Sequence, residues 1–392
     1  MSVEVTHLNA RGEGVAGDLT LPRTLPGEVV DPGPPPRILT PSSDRVAPPC
    51  PQFRRCGGCA LQQASDAFVA AWKADRVRVA LARHGIEGEI AAVRTSPANA
   101  RRRAALKGRK TKKGAMVGLH AARSHDLVAI PDCRILIPPI IDALPALERL
   151  TRLAAPRGGE IGLHLTATEA GLDLSVTGAK PMDARDLAGF AEDFSRISWN
   201  GEPMLQSVAP TLRLGPAHVV PPPGAFLQAT AEGEAALVAA VAGGLDGADR
   251  IADLFAGLGT FAFPLALRAP VDAWEGAPDL VDALAAGARH APGCRPVVAR
   301  RRDLFREPLT TEELAPYDAV VIDPPRAGAS AQVAELARSG VARAAHVSCN
   351  PATFARDAAT LLAGGYVMGP ITVVDQFRWS PHVELVATFV RA

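Results

Sequence analysis

Residues 253–261 read Asp-Leu-Phe-Ala-Gly-Leu-Gly-Thr-Phe, and this stretch carries the main indication of the fold class. It overlaps a short apolar run at 250–255 and leads into a helical pattern at 261–269. Gly257 and Gly259 allow the backbone to approach a ligand closely where a helix begins. A strand, a glycine turn and a helix in this order predict a nucleoside-containing cofactor site, with an ordinary βα turn as the alternative. NAD is not excluded by this turn alone, since the dinucleotide pattern tolerates alanine at position 262.

Acidic residues end the neighbouring apolar runs. Residues 271–274 form a strand-like run that ends at Glu275, 22 positions after Asp253, where an acidic side chain commonly binds ribose hydroxyls. Residues 319–322 form another, which ends at Asp323 in a rigid Asp-Pro-Pro-Arg turn. Strands, turns and helices alternate in this way after position 223. They predict a doubly wound parallel sheet with sites at the carboxyl ends of its strands.

Two further motifs carry side chains suited to catalysis. Cys349, in Ser-Cys-Asn-Pro, ends the strand-like run 346–349 and is placed as a nucleophile, or else it is a small buried apolar residue. Glu384 stands in His-Val-Glu before a final strand-like run at 385–390, and it is either a general base or a surface glutamate.

Four cysteines have spacing typical of a metal site. Cys50, Cys56 and Cys59 form the pattern Cys-x5-Cys-Gly-Gly-Cys, and Cys133 lies far downstream. This pattern predicts a four-thiolate site, and the glycine pair leaves room for an iron–sulfur cluster. Zinc, or a chance grouping without metal, is the alternative. Cys294 has no such partner and is interpreted as structural.

Composition limits the class of protein and of partner. The chain has 392 residues, 42 Lys and Arg against 41 Asp and Glu, and 47% hydrophobic residues, which excludes a disordered or fibrous protein. Residues 94–123 nevertheless contain ten Lys or Arg and no acid, which indicates a polyanionic partner or a solvated basic loop. We find no secretory signal and no spanning segment in the sequence, so we expect a cytoplasmic protein that does not bind membranes.

Proline-rich stretches divide the chain. Residues 31–51 are predicted to be an extended linker, and residues 216–223 mark a second boundary. We therefore predict an N-terminal segment and linker at 1–45, a β-rich domain with the cysteines at 46–215 and an α/β catalytic domain at 216–392.

Six motifs occur in one order from Cys50 to the C-terminus: CxxxxxCGGC, FLQ, DLFAGLGTF, DPPR, SCNPATFARD and HVE. Together they resemble the RNA uridine C5-methyltransferase family. The resemblance implies a Rossmann-like S-adenosylmethionine-dependent methyltransferase domain, a β-rich RNA-binding middle domain and a shortened N-terminal barrel. It implies Cys349 as the nucleophile that adds to uracil C6 and Glu384 as the base that removes the C5 proton. The residues it assigns to the cofactor are Gln228, Phe255, Gly257, Thr260, Glu275, Asp303 and Asp323.

The same resemblance assigns Cys50, Cys56, Cys59 and Cys133 to a 4Fe–4S cluster, which the ribosomal-RNA branch of the family carries. It implies 23S rRNA as the partner, no DNA, and a monomer. Three alternatives stay open: a transfer-RNA uridine C5-methyltransferase, a methyltransferase acting on an exocyclic nitrogen, and an RNA-binding or redox-sensing protein without turnover.

Overall fold

A computed structural model describes residues 2–392. The N-terminal segment folds as two small antiparallel sheets, in the orders β1-β5-β6 and β2-β3-β4. Buried Val5, Leu21 and Val30 form its small core. The predicted linker is wrong in its first part, because β6 pairs with β5 there. The six strands are β1 (Val3–Glu4), β2 (His7–Leu8), β3 (Gly14–Ala16), β4 (Leu19–Leu21), β5 (Val29–Asp31) and β6 (Arg37–Thr40).

Helix α1 (Asp66–Ala82) and strand β7 (Ile90–Thr95) follow the cysteine-rich segment. Ser65 begins the helix, since its hydroxyl accepts a hydrogen bond from the Phe68 amide at 3.1 Å. Val77 and Leu81 pack in the core of the catalytic domain, and β7 pairs in parallel with the strand at Ile371–Asp375. The structure thus differs from the predicted division at 46–215, because tertiary pairing returns this segment to the catalytic sheet.

The middle of the chain forms a seven-stranded sheet in the order β10-β9-β8-β11-β12-β13-β14. Leu147 and Leu150, on one face of a helix, pack against buried strand residues such as Leu163 and Leu174. The middle of the chain is therefore a β-rich unit. Its strands are β8 (Arg103–Thr111), β9 (Gly114–His120), β10 (Leu127–Ala129), β11 (Glu160–Thr168), β12 (Gly171–Thr177), β13 (Arg196–Trp199) and β14 (Glu202–Gln206), and its helices are α2 (Pro138–Asp142), α3 (Leu144–Ala154) and a 3-10 helix (Ala184–Phe190).

A short hairpin, β15 (Leu212–Leu214) and β16 (Ala217–Val219), precedes the proline-rich boundary. Its buried Leu214 and Val219 belong to the apolar core that includes Leu237 of the next helix. The catalytic unit therefore begins a few residues before the predicted position 216.

The remaining chain builds a nine-stranded sheet with helices on both faces, which confirms the predicted α/β Rossmann-like class. The strand order is β19-β18-β17-β20-β21-β24-β23-β7, with β22 beside β24. Strands β17 to β21 are parallel, and the chain order reverses between β17 and β20. Ligands of such sheets bind at this reversal, outside the carboxyl ends of the strands. The elements are α4 (Ala231–Gly244), β17 (Ile251–Leu254), α5 (Ala262–Ala266), β18 (Val271–Glu275), α6 (Pro278–Ala288), β19 (Val297–Arg301), α7 (Thr311–Leu314), β20 (Ala319–Ile322), α8 (Ser330–Arg338), β21 (Arg343–Ser348), α9 (Pro351–Ala363), β22 (Tyr366–Met368), β23 (Ile371–Asp375) and β24 (Glu384–Arg391).

Within residues 2–392, no helix has both the length and the apolar character needed to cross a bilayer.

Candidate active site

The predicted catalytic pair meets at one edge of the nine-stranded sheet. Cys349 follows the carboxyl end of β21, and Glu384 begins the antiparallel strand β24. Because Ser348 pairs with Leu385, the next residue of β21 and the preceding residue of β24 lie at the same edge. Asp323, after β20, lies there too. Strand register alone therefore places a thiol and two carboxyl groups together.

One cavity of about 1150 Å³ lies over this edge and contacts every site residue predicted from the sequence. It also reaches the N-terminal segment and the middle domain, so all three parts of the chain contribute to its wall. The predicted residues that line it are Cys50, Cys56, Cys59, Cys133, Gln228, Phe255, Gly257, Thr260, Glu275, Asp303, Asp323, Cys349 and Glu384.

The glycine turn after β17 is held by Glu275 at the end of β18. The Glu275 carboxylate accepts hydrogen bonds from the amides of Gly257 at 3.0 Å, Gly276 at 2.7 Å and Ala277 at 2.9 Å. Gly257 has φ 56°, and Phe255 has φ 64°, a left-handed conformation that is uncommon for a residue with a bulky side chain. Such strain is concentrated at ligand-binding turns. This turn fixes the Glu275 side chain at the cavity wall.

Aromatic rings line the cavity beyond that turn. The rings of Phe255 and Phe305 lie 5.2 Å apart between centroids, and Phe305 is 49% exposed. The Asp303 carboxylate accepts a hydrogen bond from the Phe305 amide at 3.1 Å, which fixes its orientation beside the rings. An apolar face with an adjacent carboxylate can hold a flat heterocycle that carries an amino group.

The Cys349 thiol is half-buried, and the start of α9 positions it. The Asn350 side chain accepts a hydrogen bond from the Ala352 amide at 3.1 Å and donates to the Arg326 carbonyl at 3.1 Å. The Asp-Pro-Pro-Arg turn is thereby attached to the loop that carries the thiol. Burial raises the pKa of Cys349, and the nearby carboxyl groups of Glu384 and Asp323 raise it further.

Glu384 has the surroundings of a general base. Only 5% of the residue is exposed. Burial, followed by the neighbouring charge of Asp323, raises the pKa of Glu384 to about 8, although hydrogen bonding to Gln376 and the charge of Lys73 act in the opposite direction. A carboxyl group with a pKa near the working pH exchanges protons efficiently in both directions.

Two more carboxyl groups of this edge carry raised pKa values. Burial raises the pKa of Asp323 to about 7. Burial and the charge of Asp323 raise the pKa of Asp253 well above its usual range, and neither carboxyl oxygen of Asp253 has a hydrogen-bond partner among the described residues. Asp253 was not among the site residues predicted from the sequence. Its position near the end of an apolar strand was the one signal that could have indicated it.

Gln376 is a site residue that sequence analysis missed. Its amide nitrogen donates to Gln228 Oε1 at 2.5 Å and also to the Glu384 carboxylate, and its oxygen accepts from the Ala229 amide at 2.6 Å. No motif marks this position. The one available signal was a polar pair, Asp375 at the end of the apolar strand β23 and Gln376 directly after it.

The four predicted metal-ligating cysteines come from distant parts of the chain and line the same cavity. Gly57 donates to the His120 carbonyl at 2.9 Å, and a Cβ at this position would lie 2.8 Å from that oxygen, so glycine allows the cysteine loop to lie against β9. Burial raises the pKa of Cys56 and Cys133 and raises that of Cys59 to about 12, with the other thiolates adding to each shift. Within residues 2–392, however, no three His, Cys, Asp or Glu side chains are grouped closely enough to hold a metal ion.

The basic run divides into two groups. Arg102 forms an ion pair with Glu234 at 2.5 Å, and Arg103 donates to the Leu227 carbonyl at 2.7 Å, so both join the middle sheet to the catalytic unit. Lys112 and Lys113 lie exposed in the turn between β8 and β9. Among residues 2–392, neither lysine has a partner in an ion pair.

The chain is similar to several known proteins. The family profile described as tRNA (Uracil-5-)-methyltransferase matches residues 298–391. A Caulobacter vibrioides protein described as an uncharacterized RNA methyltransferase is 44% identical over 99% of both chains. A Halomonas elongata 23S rRNA (uracil(1939)-C(5))-methyltransferase is 34% identical over 88% of this chain and 77% of the relative. The fold is also similar to the solved structure of the Pyrococcus abyssi tRNA (uracil-54, C5)-methyltransferase in complex with S-adenosyl-L-homocysteine. The match covers 100% of both chains with a TM-score of 0.76 and 22% sequence identity, which shows a shared fold.

Proposed function

Because the chain belongs to the RNA (uracil-5-)-methyltransferase family, we propose that it methylates C5 of a uridine in 23S rRNA through a covalent Cys349 adduct. The observation that carries this proposal is the shared sheet edge of Cys349 and Glu384, inside one cavity with Asp323 and the glycine turn. A thiol and a carboxyl base that line the same cavity are the groups that substitution at C5 of uracil requires.

The mechanism follows from the weak nucleophilicity of uracil C5. The Cys349 thiolate adds to C6, and the electron pair of the C5–C6 double bond moves into the ring, which makes C5 carbanion-like. C5 then attacks the methyl carbon of the substrate S-adenosylmethionine, the bond between that carbon and the sulfonium breaks, and its electron pair stays on sulfur, so that S-adenosylhomocysteine leaves. Glu384 removes the C5 proton, the double bond reforms, and Cys349 leaves as a thiolate. With its pKa about 7, Asp323 is partly protonated at neutral pH and can donate a hydrogen bond to a uracil carbonyl.

We assign the other side of the cavity to S-adenosylmethionine, which supplies the methyl group. Glu275, with its oxygens directed by three backbone amides, would accept hydrogen bonds from ribose hydroxyls. Phe255 and Phe305 would hold the adenine ring, with Asp303 beside its amino group. Thr260 and Gly257 would contact the amino-acid portion, and Gln228 would separate this portion from the base pocket.

The more similar of two relatives supports our choice of 23S rRNA as the substrate. The 23S rRNA enzyme is 34% identical, whereas the transfer-RNA enzyme of similar fold is 22% identical. We therefore favour 23S rRNA over transfer RNA, and we expect the protein to act in the cytoplasm as a monomer. The exposed lysines at the β8–β9 turn are available to RNA phosphates, which would offset part of the cost of turning the target base out of its stack.

We further propose that Cys50, Cys56, Cys59 and Cys133 hold a 4Fe–4S cluster. The predicted ligands are four thiols, with no carboxylate or imidazole among them, and iron–sulfur clusters are typically bound by four such thiols. All four line one cavity. The cluster would act as a cross-link between the loop at residues 50–59 and the segment after β10. A structural zinc ion is the alternative, and metal analysis separates the two.

A methylation assay tests the proposed reaction. Purified protein should convert uridine to 5-methyluridine in a 23S rRNA transcript supplied with S-adenosylmethionine, as read by mass spectrometry. C349A should abolish this product while retaining S-adenosylmethionine binding, because the thiol acts on the base alone. A 5-fluorouridine transcript should trap a covalent protein–RNA complex, which an enzyme acting on an exocyclic nitrogen would not form. Substantial methylation by C349A would contradict the covalent mechanism.

A cellular assay tests the choice of RNA. Loss of the gene should remove 5-methyluridine from one position of 23S rRNA and leave transfer RNA unchanged, and the wild-type gene, but not C349A, should restore it. Loss from transfer RNA instead would overturn the substrate assignment and leave the reaction intact.

A further inference from the structure

We propose that Gln376 is a positioning residue that holds the Glu384 carboxylate for removal of the C5 proton and attaches it to Gln228 on the cofactor side. This inference rests on the proposed function, because it concerns the elimination step of that reaction. Gln376 does not line the cavity, so its effect must pass through Glu384 and Gln228.

The orientation of the Gln376 amide is fixed by the backbone. Its oxygen accepts hydrogen bonds from the amides of Ala229 at 2.6 Å and Thr230 at 3.4 Å. Two N–H donors on one side mean that this atom must be the oxygen, so the amide nitrogen faces the opposite way. The nitrogen has two hydrogens, and it has two acceptors: Gln228 Oε1 and the Glu384 carboxylate. The amide is therefore fully satisfied in this one orientation.

Packing leaves the Gln376 side chain no other position. The residue is 2% exposed. A Cβ at position 233, in the first turn of α4, would lie 2.6 Å from Gln376 Cβ, so only glycine allows this approach. Strand β23 presents the residue, because Val374 pairs with Glu384 and Gln376 lies just beyond this pair. A buried donor held by backbone hydrogen bonds, one residue beyond the end of β23, keeps the Glu384 carboxylate in one place.

The charged groups around Glu384 explain why the donor is needed. Asp323 approaches from the end of β20, and the Cys349 thiolate would approach from the end of β21, and both disfavour a charged carboxylate. Lys73 of α1 favours it, but this lysine is already paired with Asp375. Gln376 supplies a direct hydrogen bond to the ionised form, which opposes burial and the charge of Asp323.

The elimination step depends on that ionised form. Glu384 takes the proton from C5, the C5–H electron pair forms the C5–C6 double bond, and the electrons of the C6–S bond return to Cys349 as thiolate. A protonated Glu384 cannot accept the proton, so the methylated RNA would stay attached to the protein. Addition of the thiol and transfer of the methyl group require no donor at Gln376.

The test uses Q376M, which has a similar volume and no donor, in the full-length protein. Loss of a hydrogen bond to an ionised carboxylate raises the pKa of that group by about one to two. At pH 7 we therefore expect release of the uridine-RNA adduct to be slowed about tenfold or more, with the rate recovering as the pH is raised towards 9. Formation of the adduct with 5-fluorouridine RNA should stay within about threefold of wild type, because no proton is removed from that base.

Gln332 offers a matched control. It is fully buried in the same unit, and its amide bonds both to the Leu309 amide and to the Leu309 carbonyl, away from the cavity. Q332M should lower thermal stability, because it removes the buried hydrogen bonds to the Leu309 backbone. The pH dependence of adduct release should stay unchanged. If Q376M fails to fold, Q376E keeps the size and the acceptor and should delay release further at pH 7, through repulsion of Glu384.

An unchanged pH profile of adduct release in a folded Q376M or Q376E would overturn the role of Gln376. A shift of equal size in Q332M would also overturn it, because the effect would then be structural. Absence of any adduct between wild-type protein and 5-fluorouridine RNA would instead contradict the proposed function, so the two failures are distinguishable.

Discussion

Lys73 and Asp375 form an ion pair at 2.5 Å in which both side chains are fully buried. Lys73 also donates to the Phe377 carbonyl at 3.2 Å. The pair joins helix α1, which follows the cysteine loop, to the end of strand β23, one residue before Gln376. A helix assigned by sequence to the middle domain thus supports the strand that leads to Gln376.

The buried pair leads to a prediction about stability. K73M should lower the free energy of unfolding by about 3–5 kcal/mol, because it leaves Asp375 as an uncompensated buried charge. The measurement is urea unfolding monitored by circular dichroism. The double variant K73M/D375L should be less destabilised than K73M, since neither charge then remains, and an equal or larger loss would contradict this explanation.

Glu384 predicts the pH dependence of product release. The pKa of about 8 is raised above the ordinary carboxyl value, so the base is mostly protonated at pH 7 and ionised above pH 8. Release of methylated RNA should therefore rise about tenfold per pH unit below 8 and level off above it. E384Q should methylate once and remain attached, which a denaturing gel detects as a protein–RNA band that does not decay. Rapid release by E384Q would assign the base to another residue.

Cys133 is the informative ligand of the proposed cluster, because only folding brings it to the loop at residues 50–59. Anaerobically purified protein should be brown and contain about four iron atoms per chain. C133S should lose iron and weaken RNA binding more than S-adenosylmethionine binding. C294S is the control, since Cys294 lies outside the cavity, and it should keep its iron. One zinc per chain and no iron would replace the cluster with a structural zinc ion.

The exposed lysines predict how RNA binding depends on salt. K112Q/K113Q should reduce affinity for every RNA tested. It should also reduce the magnitude of the slope of log affinity against log salt concentration by about one to two. The double variant R289Q/R295Q, which removes two exposed charges around the end of α6, should leave the slope unchanged. Filter binding at several salt concentrations gives both slopes. Equal slopes for wild type and K112Q/K113Q would remove this turn from the RNA-binding surface.

The sequence alone determined the α/β class and most of the site. Glycines 257 and 259, Asp323 and Cys349 each stand directly after an apolar run, and parallel strands bring their carboxyl ends to one edge, so local order was enough to predict that they meet. The cysteine spacing likewise required no knowledge of the fold. These signals are local, because each depends on the position of a residue within one strand, turn or loop.

The distant segments that complete the site could be identified from the three-dimensional structure alone. It paired β7 with β23, brought Lys73 to Asp375 across about 300 positions, and placed Gln376 between Gln228 and Glu384. It also showed that Arg102 and Arg103 join two domains, where the sequence indicated a basic run that binds a polyanion or forms a solvated loop. Parallel pairing and buried polar contacts depend on how the chain closes over long separations, and no periodicity within a segment encodes the partner. The motifs therefore named the groups that react, and packing selected the groups that hold them.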